Sequence, residues 1–153
     1  MDRGLAVLLT AVAGGLIAAQ APINAELGRA TGSMAAALVS FLVGTLALAT
    51  IVVLSGKAGG LTSTFDVSWY YLLGGFLGAL YVLNALVAVS VIGAGGVAAA
   101  TVFGQLTASV VIDRLGLFGL DQVALSSQRV LGVVLLLAGT VLVIAPAAGL
   151  LAG

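Results

Sequence analysis

The residues best suited to hold a small molecule in this chain are uncharged. Gln20 and Asn24 stand four apart, so a helix carries both amides on one face, and Pro22 between them removes a backbone donor and loosens the hydrogen bonding there. Thr101, Gln105, Ser109 and Asp113 recur every four residues. That spacing drifts only about 40° per step, so the four line one side of a helix. Tyr81 with Asn84 at i and i+3, and Ser40 with Thr45, add further hydroxyls and an amide. Converging, these groups would form a hydrogen-bonding chamber for a small-molecule substrate. The plainer reading of each is an interhelical hydrogen bond or contact with interfacial water. Glu26 sits near the mouth, with Arg29 three residues on as its expected partner. Paired, the two are structural; unpaired, Glu26 can take and release a proton, and Asp113 is the other proton or gating candidate.

Other chemistries lack their residues. With no His and no Cys, zinc, haem, iron–sulfur and thiol sites lose their usual ligands, and Ser–His or Cys–His pairs cannot form. No two groups make a convincing acid and base. Asp113 and Asp121 beside Arg114 are most simply solvated charges. Catalytic residues, a cofactor and a metal are therefore not expected, and the chain is not read as an enzyme. Five Lys or Arg balance five Asp or Glu, which leaves no basic footprint for nucleic acid.

The elements that must position these residues are membrane spans. The chain of 153 residues is 62% hydrophobic and 7% charged, against roughly 25% charged in soluble domains. Crossing about 30 Å of hydrocarbon takes about 20 apolar residues in a helix. Five such segments follow one another at about 4–24, 34–54, 69–92, 95–112 and 130–151, and none contains Asp, Glu, Lys or Arg. Barrel strands would alternate over about ten residues, and these runs do not. The expected fold is an all-α integral membrane protein, one transmembrane domain over 1–153 with the lipid bilayer as its surroundings. The first segment also carries the pattern of a secretory signal, with Arg3, an apolar core and the small-x-small Ala19-Gln20-Ala21. With Met1 still at its head, it is read as a span.

Between spans, residues 22–33 and the Gly/Ser-rich 55–68 read as loops, and Gly93-Ala94 as a turn tight enough to make helices three and four antiparallel neighbours. The 113–129 connection mixes Leu115, Leu117, Phe118 and Leu120 with charges, which suits either a segment at the membrane surface or an ordinary loop. Arg3, Lys57, Arg114 and Arg129 fall on one side and Arg29 on the other. This excess predicts a cytoplasmic amino terminus, with Trp69, Tyr70 and Tyr71 anchoring the cytoplasmic start of helix three; dual topology is the alternative.

Glycine supplies 22 residues, about twice the usual ~7%. Gly74 with Gly78, and Gly104 with Ala108, have the spacing that lets helix backbones approach closely in lipid. GGLIAAQAPIN from Gly14 can be laid on GGFLGALYVLN from Gly74, and GSMAAALV from Gly32 on GGVAAATV from Gly95. Either a duplicated hairpin or Gly/Ala bias accounts for this echo.

The succession QAPINAELGRATGS, ALVSFLVGTLAL, GGFLGALYV, VFGQLTASVVIDRLGLFG and RVLGVVLLLAGTVLV resembles the YdcZ-like five-helix family of the drug/metabolite transporter superfamily, over nearly the whole chain. The resemblance implies a bacterial inner-membrane protein with a transporter-like role, equivalent to half of a ten-helix carrier and needing to pair halves. Gln20, Asn24, Gln105 and Asp113 match its motifs. The mid-membrane glutamate of the related four-helix multidrug exporters is missing, which argues against their proton-antiport mechanism. Five-helix halves fused in one chain insert with opposite orientation. A lone half therefore needs an inverted copy of itself or a homologous five-helix partner. The leading expectation is a dimeric exporter of small metabolites or drug-like compounds working by alternating access. A passive channel, or a structural or regulatory subunit without its own substrate, is the alternative.

Overall fold

The computed structural model describes residues 2–145. The first helix, α1, spans Arg3–Thr31. It opens where the Gly4 N–H donates to the Asp2 carboxylate at 2.6 Å, an N-cap that satisfies a free helix-end donor. The sequence predicts a loop from Pro22 onward, but the helix continues through the proline for another nine residues, to Thr31. One missing N–H leaves the Ala18 carbonyl without its partner, which weakens the helix locally without ending it. Termination comes at Gly32, where φ 84 and ψ 149 lie in a region that residues bearing a Cβ avoid. Its N–H returns to the Gly28 carbonyl at 2.8 Å. That single residue joins α1 to α2, Ser33–Leu54.

Two 3-10 stretches follow, Ala58–Asp66 and Trp69–Leu72. The second holds the aromatic trio, with Trp69 edge-on to Tyr70 at 6.4 Å between ring centres and Tyr70 4.5 Å from Tyr71. Leu73–Leu115 is one run of helix divided at Gly93, whose φ 70 and ψ 168 leave the helical region. The division yields α3 over 73–92 and α4 over 94–115. The last helix, α5, covers Ser127–Ile144 and starts on the Ser126 hydroxyl, which accepts from the Arg129 N–H at 3.3 Å. The far end of the expected fifth span, to Leu151, lies outside the described residues. The five helices contain no strand among the described residues.

The chain forms two compact units, divided between Val91 and Ile92. In the first, α1 and α3 run parallel: Ile17 to Asn24 face Tyr81 to Ala85, and Ala25 to Arg29 face Leu86 to Ser90. Helix α2 runs against both, with Phe41 against Gly78 and Ala36 against Gly28. Small residues make this possible. A Cβ on Gly28 would stand 3.5 Å from Leu86 and 3.7 Å from Ala36. Buried apolar residues here are Ala21, Ala36, Val82, Ala85 and Leu86, and almost every larger aliphatic side chain is exposed. In lipid that distribution carries no penalty, because hydrocarbon solvates Leu as well as a neighbouring helix does.

In the second unit α4 and α5 form an antiparallel hairpin. Thr140, buried, donates its hydroxyl proton to the Ala99 carbonyl at 3.1 Å, and Gly95 and Gly96 lie against Val143 and Ile144. At the other end the Arg129 guanidinium pairs with the Asp113 carboxylate at 2.9 Å. The connection carries no surface helix. It holds a short 3-10 turn, Leu117–Gly119, then runs without regular structure to α5. The Val123 N–H donates to the Asp113 carbonyl at 2.9 Å and the Gln122 amide to the Leu115 carbonyl at 3.4 Å, so the loop itself satisfies carbonyls left open at the end of α4.

Candidate functional site

The seam between α1 and α3 brings together three of the polar residues singled out by type and spacing. Gln20 and Asn24, one turn apart on α1, meet Tyr81 of α3 across a slot walled by Ala21, Val82 and Ala85 and too narrow to admit a water molecule. Asn24 is 6% exposed. Its amide borders the slot, and no fully buried side-chain nitrogen or oxygen lacks a partner among the described residues. The slot is lined by hydrogen-bonding groups set in an apolar wall. Pro22 contributes by freeing the Ala18 carbonyl on the same stretch of α1.

Gln20 belongs to a second space as well. On its α2 side it lines a groove of about 250 Å³ with Ser40 and Thr45. Its amide therefore stands between the closed slot and this groove, and the two hydroxyls predicted from helix two face it.

Further along the same seam lies a vestibule of about 300 Å³, bordered by Glu26, Arg29, Ser33, Leu86 and Ser90. Arg29 donates to the Glu26 carboxylate at 2.5 Å, with side chains 73% and 68% exposed. The Ser90 hydroxyl is engaged with the Val87 carbonyl at 2.7 Å. A helix of 29 residues is about 43 Å long at 1.5 Å per residue, well beyond about 30 Å of hydrocarbon. That excess length is why α1 tolerates a charged pair in its last two turns.

The other predicted residues lie elsewhere. Asn84, three residues past Tyr81, is on the exposed side of α3 and lines neither slot, groove nor vestibule. On α4, Thr101 is half-buried while Gln105 and Ser109 are exposed, and the Ser109 hydroxyl donates to the Leu106 carbonyl of its own helix at 2.9 Å. Asp113 closes the α4–α5 hairpin through Arg129, 16 residues away. Of the packing glycines, Gly78 meets the Phe41 ring, where a Cβ would stand 3.5 Å away, whereas Gly74 and Gly104 face open space. Sequence reasoning missed Thr140, a single hydroxyl in an apolar run, and the pairing of Arg129 with Asp113. Only the hairpin geometry reveals either.

Slot, groove and vestibule follow one another along the seam, lined by two amides, a phenol and hydroxyls, with one neutral ion pair at the Thr31 end. These groups offer hydrogen bonds, and no group of three or more His, Cys, Asp or Glu placed to hold a metal occurs among the described residues. No curated protein and no solved structure matches this chain. Over residues 5–142 it matches the family described as "Putative inner membrane exporter, YdcZ". A multi-pass helical chain with apolar spans agrees with that description, and the protein belongs to the YdcZ family of inner-membrane transporters.

Proposed function

We propose that the protein is an exporter of small solutes that works as a dimer by alternating access, with the α1–α3 slot as the place where the solute is held. The observation that carries this reading is the convergence of two amides and a phenol, Gln20, Asn24 and Tyr81, on one slot in an otherwise apolar seam. A solute's hydroxyl, carbonyl or amine pairs with these groups, and binding then widens the slot. Asn84 on α3, exposed, and the Thr101, Gln105 and Ser109 face of α4 are each a further solute-contacting candidate within their own unit. Glu26 and Asp113 remain the gating candidates. In this role each acts through the ion pair it makes, Glu26 with Arg29 and Asp113 with Arg129.

The test is transport in proteoliposomes against a panel of small polar solutes. Asn24→Leu should abolish uptake of every solute that the parent chain moves, yet leave the protein folded and inserted. Full activity of that variant would sink the reading. Counterflow separates a carrier from a continuous pore, since only a carrier exchanges internal for external solute. A slot closed to water favours the carrier.

A further inference from the structure

The geometry points to a second solute site: the vestibule at the Thr31 end of the α1–α3 seam binds a small zwitterion with an aliphatic arm as it leaves the uncharged slot. The proposal rests on the transporter reading for its role, but its binding chemistry stands on this vestibule alone. Glu26 and Arg29 are adjacent, opposite in sign and neutral in sum. A solute carrying one charge would engage one of them and leave the other without its counter-ion. A zwitterion replaces both partners at once, its ammonium on the Glu26 carboxylate and its carboxylate on the two-pronged Arg29 guanidinium, and adds no net charge at the membrane boundary.

Both side chains are free to swing, being 68% and 73% exposed, and an exposed pair of this kind contributes little that opening it would lose. The α3 wall, Leu86 and Val87 with Val89 behind them, receives an aliphatic arm. About 300 Å³ of space is at the small end of ligand pockets, roughly 300–1,000 Å³, which suits a molecule the size of an amino acid. The vestibule and the slot are neighbours along the seam, since consecutive residues on each helix border one or the other: Ala25 and Leu86 the vestibule, Asn24 and Ala85 the slot.

The experiment measures equilibrium binding to the full chain in lipid nanodiscs, with no gradient present. Labelled L-leucine is competed by 3-methylbutylamine, which lacks the carboxylate, and by 4-methylpentanoate, which lacks the ammonium. The expected result is at least tenfold tighter binding of L-leucine than of either analogue. Glu26→Gln should turn the preference toward the carboxylate analogue and Arg29→Gln toward the amine, while the reversed pair, Glu26→Arg with Arg29→Glu, restores L-leucine. Each variant's thermal melt verifies folding. No L-leucine binding by the parent chain, or an unchanged order of the three probes in both single variants, overturns the proposal. A chain that binds L-leucine in this pattern but moves no solute retains the vestibule and removes the transporter reading; transport of other solutes without L-leucine binding does the reverse.

Discussion

Asn24 is the residue on which solute holding rests. It is 6% exposed and borders the slot with Gln20 and Tyr81. In Asn24→Leu, close in volume and without polar atoms, transport should fall to background while the midpoint of thermal unfolding holds. A collapse of the melting temperature would show that the amide is structural. Thr140 is the contrasting case. Its hydroxyl is satisfied by the Ala99 carbonyl, so Thr140→Val should cost about 0.6 kcal/mol, the average for an interhelical hydrogen bond in a membrane. The same melting measurement checks it, and solute specificity should not change.

At the scale of the element, two glycines decide where helices stop. Gly32 and Gly93 adopt nearly the same backbone, φ 84 with ψ 149 and φ 70 with ψ 168, each between two apolar helices. The repeated helix–glycine–helix pattern agrees with the internal echo in the sequence, although the breaks correspond as Gly32 with Gly93 rather than Gly95. Substituting Gly93 by Ala places a Cβ in a disfavoured conformation at a cost of about 1–3 kcal/mol. Gly93→Ala should therefore lower the yield of folded protein and its melting temperature. Gly104→Ala provides the opposite check, because a Cβ there meets nothing within 4 Å in the chain. It should leave the melt of the single chain unchanged and weaken self-association, measured by cross-linking in membranes, if the face around Gly104 is where a partner packs.

For the whole molecule, charge distribution predicts how it is inserted. Arg3, Lys57, Arg114 and Arg129 share one side by span count, against Arg29 alone, which predicts a cytoplasmic amino terminus. A single cysteine at Ser63, in the connection after α2, should react with a membrane-impermeant reagent only after the membrane is opened, as one population. Two populations would overturn fixed orientation and favour a dimer of oppositely inserted copies. The sequence alone determined that the protein lives in a membrane, because 7% charge cannot cover a soluble surface, and that it crosses five times. It also singled out Gln20, Asn24 and Tyr81, since polar side chains are conspicuous in spans without charge. Sequence did not show that α1 continues past Pro22, because losing one backbone donor is compatible with either outcome and the following residues tip the balance. Nor did it show that Tyr81 meets the amides while Asn84, three residues on, faces away. That choice depends on the rotation of α3 against α1, set by the close approach of Ala21, Ala85 and Leu86 at the seam. Pairing of Asp113 with Arg129 was likewise invisible, because a contact across 16 residues exists only once the hairpin has closed.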